Sequence, residues 1–273
     1  MAQLILDGEQ NKTLNEGIKK MALALQKFNE LNKPLVENLI RIKQHIEQTT
    51  KPSKEIFEKL SELINLARES APENIKKLAD YGWYLPFTSS ILQAHDWANY
   101  ISEDKSLVWI NQQIINLIDR HQQELYEELI SNFPERKGLI ESALKAHRNK
   151  DYNLSIPVFL SQSDGICKKI TGFSMFSGSY EENGEKHIPH TRKWAKQQSI
   201  DSLYVAFLEP LKTKVGFNKH ESKEDYIGFT RHSVLHGESL DYGTEVNSYK
   251  AMCLLFYIGY LVNFLVNEKK DGV

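Results

Sequence analysis

The chain has 273 residues, 41% hydrophobic and 26% charged, which provides for a sizeable core in one large or two modest domains. A formal net charge of -2 excludes a globally basic nucleic-acid binder, so any anionic ligand must be met by a local patch. Cys167 and Cys253, the two cysteines, each lie in an apolar helical stretch, which excludes a disulfide scaffold and suits reduced core thiols in a cytoplasmic protein.

Residues 1–10 carry Asp7 and Glu9 with no basic flank or apolar run, unlike a secretory signal. The longest apolar run, 251–266, is short for a membrane span and contains Gly259 and Asn263, so a buried helix and no membrane partner are expected.

Residues 12–70 read as helices punctuated by prolines. Met21, Leu25 and Phe28 precede the Asn32-Lys33-Pro34 break, and Leu35, Leu39, Ile42 and Ile46 repeat at helical spacing. Ser53 is placed to cap a further helix through Ile56, Leu60, Leu63, Ile64 and Ala67, and Ser70-Ala71-Pro72-Glu73 to open a short one. That short helix ends at Tyr81-Gly82-Trp83-Tyr84-Leu85-Pro86-Phe87. Four aromatics in seven residues suit either a stacking surface for bases or, the favoured reading, an aromatic plug between helical layers.

Helices are expected over 89–100 and 107–133, the second with a stripe of Trp109, Ile110, Ile114, Leu117, Ile118, His121, Leu125 and Leu129. Pro134 suits the first turn of a new helix, which runs to a polar stop at His147-Arg148-Asn149-Lys150-Asp151. The next helix, 152–170, places Ile156, Phe159, Leu160, Ile166 and Cys167 on one face with Asp164 beside it. A carboxylate there either meets a buried or interfacial cation or is simply solvated.

Residues 171–190 look loop-like. From Lys168 to Lys219 charges lean positive, with Lys168, Lys169, Arg192 and Lys193 interleaved with Phe173, Phe176, Tyr180 and Trp194, a mixture that suits a single-stranded nucleic-acid channel. His187-Ile188-Pro189-His190 lacks a surrounding Cys or carboxylate cluster, and Pro189 prevents a helical ligand pair, so no metal site is expected.

The densest chemistry is Arg231-His232-Ser233-Val234-Leu235-His236-Gly237. A helical pattern from Glu221 continues into it, Gly237 is placed as a C-cap, and Thr244 is placed to cap the last helix. The last helix is apolar nearly all round and belongs at the centre of a bundle or at a subunit interface.

Three readings fit these residues. His236 finishes a helix favourably while Arg231 pairs with Asp225 or Asp241. Alternatively His232 and His236, four apart, hold a metal, although Ser233 stands where a zinc-protease helix needs Glu and a third ligand is missing. Or the site transfers protons at an RNA phosphodiester, a His moving the proton and an Arg holding the non-bridging oxygens. On an ideal helix Arg231 and His236 point about 140° apart, so convergence needs the last turn to unwind at Gly237 or two copies to meet.

The string from Thr230 to Gly237, followed by a short loop with Asp241-Tyr242-Gly243-Thr244 and a long apolar helix, resembles the HEPN superfamily and its Arg-x4-6-His motif. Ala146-His147 through Tyr152, Ile156-Pro157, Ser163-Asp164-Gly165-Ile166 and Gly82-Trp83-Tyr84-Leu85-Pro86 resemble an abortive-infection-like bacterial subgroup. The resemblance covers residues 134–266 and reaches back thinly to Tyr81.

It implies an all-α up-down bundle that dimerises with its motifs facing each other. Arg231 would bind phosphate and His236 would act as general acid or base. His232 stands where many members have Asn, which leaves its role open, and Asp164 would support the pair. The expected organisation is an N-terminal helical region over 1–75, a connecting region over 76–133 and a HEPN-like bundle over 134–273.

The expected function is a metal-independent, cofactor-free endoribonuclease in bacterial stress or antiphage defence. Its expected partners are RNA, contacted by Lys168, Lys169, Arg192 and Lys193, a second copy of the chain, and a phage-derived or other protein activator. A non-catalytic RNA-binding or protein-interaction module is the alternative.

Overall fold

The computed structural model describes residues 52–103, 106–180, 187–198, 202–218 and 230–261. The helices expected between residues 12 and 50 lie outside them. The fold is all-α, with ten α-helices and one two-stranded antiparallel sheet among the described residues. The chain divides into two compact units, Ala67–Val262 and Met1–Leu66 with Asn263–Val273.

Helix α1 (Pro52–Asp80) runs unbroken through Pro72, where the sequence suggested a new start. Proline removes one backbone donor and normally kinks a helix. Here Ala67, Ala71, Ile75, Leu78 and Ala79 on either side of it are all buried, and packing outweighs the local preference. Helix α2 (Ile91–Ser102) begins in a capping box: Ser90 Oγ accepts from Leu92 N and Gln93 Oε1 accepts from Ser90 N.

Helix α3 (Leu107–Asn132) buries Ile110, Ile114, Leu117, Ile118, Leu125 and Leu129, as their spacing anticipates. Trp109, read as part of that stripe, is instead half exposed and stacked on Tyr100 at 4.5 Å. A 3-10 turn at Pro134–Arg136 leads into α4 (Lys137–Arg148), and α5 (Tyr152–Thr171) follows, closed by Gly172 in the left-handed region.

Residues 171–190 are not all loop. β1 (Gly178–Tyr180) pairs with β2 (His187–Pro189), Ser179 opposite Ile188. Three-residue strands are too short for a two-residue period to be read from sequence. Short helices α6 (Thr191–Gln197), α7 (Ser202–Phe207) and α8 (Glu209–Lys212) follow, then α9 (Arg231–Leu235) and α10 (Glu245–Tyr260).

Helix α10 is the axis of the unit. It packs against α5 and α3, and α5 packs against α4. Every residue from Ser248 to Gly259 is buried within the one chain, so the all-round apolar character of α10 is accounted for by the centre of the bundle. Gly259 lets α3 approach, since a Cβ there would overlap Leu129 Cδ1.

The aromatic segment is the plug. Trp83, Tyr84 and Phe87 are buried, Tyr84 against Phe217 and Tyr257, Phe87 against Phe207, Tyr257 and Tyr260. Trp83 Nε1 donates to Asn111 Oδ1 at 2.9 Å, and Tyr84 Oη donates to Val215 O at 3.0 Å. These rings have no free face to offer a base.

Candidate active site

The Arg-x4-His motif starts a helix rather than finishing a long one. Thr230 has an extended backbone and its hydroxyl accepts from Ser233 N at 3.1 Å. That N-cap geometry interrupts the helix expected to continue from Glu221, because a capping side chain requires a non-helical residue at its own position. Residues 219–229 lie outside the described region.

One face of the short helix is anchored and the other is exposed. Thr230, Ser233 and Val234 are buried, and Thr230 Oγ1 also donates to Ser233 Oγ at 3.0 Å. His236 ends the helix and Gly237, at φ +74°, turns the chain left-handed, as its position after the motif anticipates. Glu238 N and Ser239 N then both donate to Ser233 O, at 2.8 and 3.0 Å, which closes the turn.

His232 and His236, four residues apart, share the outer face. Both are exposed, with ring centroids 4.4 Å apart and planes at 44°. Glu238 Oε1 lies 3.3 Å from His232 Nε2. Arg231 is half-buried on another side, its Cζ 5.5 Å from the centre of the Phe176 ring. Its Nε is buried and has no hydrogen-bond partner. No carboxylate pairs with Arg231 among the described residues: Asp241 instead accepts from Ser239 Oγ at 3.2 Å, and Asp225 lies outside the described region.

Asp164 does not touch Arg231. Its Oδ1 accepts from Ser174 Oγ at 2.5 Å and from Met175 N at 2.8 Å. The carboxylate thus fixes the turn after α5, and that turn carries Phe176 beneath Arg231. Its connection to the motif runs through the Phe176 ring.

The four basic residues expected to meet RNA differ among themselves. Lys169 is occupied, 2.6 Å from Glu135 Oε1 and 5.3 Å from the centre of the Phe133 ring. That contact holds the Glu135 carboxyl below the usual range. Lys168 and Lys193 are exposed and Arg192 is half-buried. Of the two histidines in the hairpin region, His187 lies in β2, and His190 Nδ1 lies 3.1 Å from Ser177 Oγ. Among the described residues no group of three His, Cys, Asp or Glu side chains is placed to hold a metal ion.

The loop behind the motif is seated on α5. Tyr242 Oη donates to Asn153 O at 3.0 Å, Asn247 Nδ2 donates to Tyr242 O at 2.9 Å, and Gly243 lies so close to Asn153 that a Cβ would overlap its amide. Thr244 caps α10, its hydroxyl accepting from Asn247 N, as expected.

A buried polar cluster escaped the sequence reading. His147, expected in a polar stop, is buried between α4, α5 and α10: its Nδ1 lies 2.8 Å from Ser248 Oγ, which lies 2.8 Å from Ser155 Oγ. The ring meets Tyr249 edge-on at 4.6 Å, and Tyr249 Oη donates to Asp119 Oδ1 at 2.7 Å. Burial lowers the His147 pKa, partly opposed by Asp119 and Glu245. The neighbouring Lys250 is buried with Nζ 5.6 Å from the centre of the Trp83 ring, and burial brings its pKa down to about 8. The available signal was Ser248-Tyr249-Lys250, three polar-tipped residues together in a helix otherwise apolar all round. Cys167 and Cys253 are free and buried, and burial pushes the Cys167 thiol up to about 12, so neither suits nucleophilic work.

Comparison of the chain with protein-family models, with curated proteins and with solved structures finds no match.

Proposed function

We propose that the Arg231–His236 turn is the site of a metal-independent endoribonuclease. The observation that carries this reading is an Arg held against Phe176 with no anionic partner among the described residues, on a short helix that carries two exposed, adjacent imidazoles on another side. A surface Arg with a carboxylate at hand would pair with it. One with no such partner among the described residues and a shielded Nε has its outer nitrogens to offer to two oxygens of an incoming anion.

An imidazole ring can accept a proton or donate one, so the pair offers both roles. In the proposed reaction a His accepts the 2′-hydroxyl proton and the oxygen forms a bond to the adjacent phosphorus. The bond to the 5′-oxygen breaks, and that oxygen takes a proton from a second His. Arg231 carries the charge that grows on the non-bridging oxygens. The products are a 2′,3′-cyclic phosphate and a 5′-hydroxyl. Under this reading His236 and His232 share the proton work, with Glu238 orienting His232, and Asp164 acts by position.

The resemblance to the HEPN superfamily adds a homodimer in which two motifs face one another, a protein activator, and a role in bacterial stress or antiphage defence. Leu240, 90% exposed in the loop behind the motif, is an apolar contact such a partner would cover.

The test is incubation of the purified chain with single-stranded RNAs and tRNAs in excess chelator. Fragments are expected from the wild type, with rates lowered at least ~100-fold in Arg231→Ala and His236→Ala. Intact RNA throughout would contradict the reading. RNA retention without products would instead identify a non-catalytic RNA-binding module.

A further inference from the structure

We infer that Phe173, braced by His190, is a stacking platform for one unpaired base of the strand whose phosphate Arg231 holds, which makes single-stranded or looped RNA the substrate class. The inference rests on the functional reading above. It adds a binding element outside the motif itself.

Among the described Phe, Tyr and Trp residues two rings are substantially exposed, Trp109 and Phe173. Trp109 already has Tyr100 stacked on it at 4.5 Å. Phe173, 36% exposed, has His190 as its one ring neighbour among the described residues, with ring centroids 6.0 Å apart and planes tilted by 57°. A tilted neighbour supports the ring without covering it.

The position of the ring is fixed, as a platform requires. Phe173 N donates to Thr171 Oγ1 at 3.1 Å, and Asp164 ties down Ser174 and Met175, the next two residues. Ser177 Oγ donates to Ser174 O at 2.9 Å. His190 is bound to Ser177 twice, N to O at 3.1 Å and Nδ1 to Oγ at 3.1 Å. The turn therefore holds two rings three residues apart, Phe176 under Arg231 and Phe173 facing outward. Three residues span at most about 11 Å of chain, so platform and phosphate site are neighbours.

Charge complementarity selects the occupant. Lys168 precedes Phe173 by five residues, and Arg192 and Lys193 follow His190 after Thr191, so exposed Lys168 and Lys193 and half-buried Arg192 stand on the helices either side of the turn in sequence. An open aromatic face with cations near it in the chain, close to an Arg that has no anionic partner among the described residues, suits single-stranded nucleic acid, in which bases stack and cations track the backbone. Bases inside an A-form duplex offer no free face to such a ring.

The test measures binding of a short single-stranded 2′-O-methyl RNA, which has no free 2′-hydroxyl and cannot be cleaved by this route, to the full chain by fluorescence anisotropy. Phe173→Ala is expected to weaken binding roughly 5- to 150-fold, the range for loss of one base stack. Phe173→Trp is expected to keep or tighten it, and a fully paired duplex is expected to bind both variants like the wild type. An unchanged thermal unfolding midpoint in Phe173→Ala assigns the loss to the ring.

Equal affinity of wild type and Phe173→Ala overturns the inference, as does a wild type that does not bind the probe. Phe173-dependent binding by a chain that cleaves no RNA would sink the endoribonuclease reading and leave the platform standing. Arg231-dependent cleavage with no Phe173 effect on binding would do the reverse.

Discussion

Arg231 rests on Phe176, its guanidinium carbon 5.5 Å from the ring centre, and Asp164 holds the turn that carries that ring. The guanidinium of the site is thus positioned by a carboxylate that does not touch it. Phe176→Leu removes a cation–π contact worth about 0.5–2 kcal/mol and is expected to raise KM for RNA several-fold with a smaller effect on kcat.

Asp164→Ala unties Ser174 and Met175 and is expected to cost roughly 2–3 kcal/mol of stability in urea unfolding, with most of it recovered in Asp164→Asn, whose amide oxygen still accepts. As a positioning residue it should leave the pH profile of kcat unchanged. A profile that loses one limb in Asp164→Asn would make it a proton-transferring group instead.

His147 gives the unit a pH dependence of predictable sign. Burial disfavours its charged form in the folded chain, while the unfolded chain takes up its proton near the ordinary value of 6.5. The unfolded state then holds more protons below that value, so this contribution to stability is full above about pH 6.5 and is lost as pH falls. Asp119 and Glu245 soften the loss and Arg148 adds to it. His147→Asn, which can still reach Ser248, is expected to show a shallower fall in thermal midpoint between neutral and mildly acidic pH. Equal slopes for the two proteins would refute the assignment.

Lys250 acts at the other end of the scale. With a folded pKa of about 8 against an ordinary 10.5, the unfolded chain holds the extra proton between those values, and stability rises with pH across that window. Below it the folded state bears the full cost of a buried ammonium, about 3 kcal/mol by the size of the shift. Lys250→Met is expected to be more stable than wild type at neutral pH, by less than that because the contact with Trp83 is lost. The gap should narrow as pH rises towards 10. A gap that does not change with pH would show that Lys250 reaches solvent.

At the crossing of α3 and α10, Gly259→Ala is expected to destabilise by about 1–3 kcal/mol through overlap with Leu129. The double variant with Leu129→Ala should recover part of that loss relative to Leu129→Ala alone, a coupling visible in a double-mutant cycle. Strict additivity would mean the helices shift apart to absorb the new methyl group.

The helical class, the buried α10, the Thr244 cap and the Gly237 turn were legible because each depends on local spacing or a single permissive residue. Helical periodicity in α3 and α5 placed most of their core correctly. Features decided by tertiary packing were not legible. Pro72 reads as a start, yet buried neighbours carry α1 through it. His147 reads as polar punctuation, yet Ser248, 101 residues away, makes it a core residue. Asp164 was singled out by its place beside an apolar face, which leaves a cation or solvent as its partner. The partner turned out to be the backbone and hydroxyl of the next turn. Thr230 could have been read as a cap from its Ser233 three residues on, but the apolar residues before it resembled more helix.

The most direct test of the central claim uses a deoxyribonucleotide strand with one internal ribonucleotide, incubated with the full chain in excess chelator and analysed by mass spectrometry. The account requires cleavage after that ribonucleotide, a 2′,3′-cyclic phosphate on the upstream product, a 5′-hydroxyl on the other, and no product from Arg231→Ala. An intact strand, a product with a 5′-phosphate, or the same products from Arg231→Ala would contradict it.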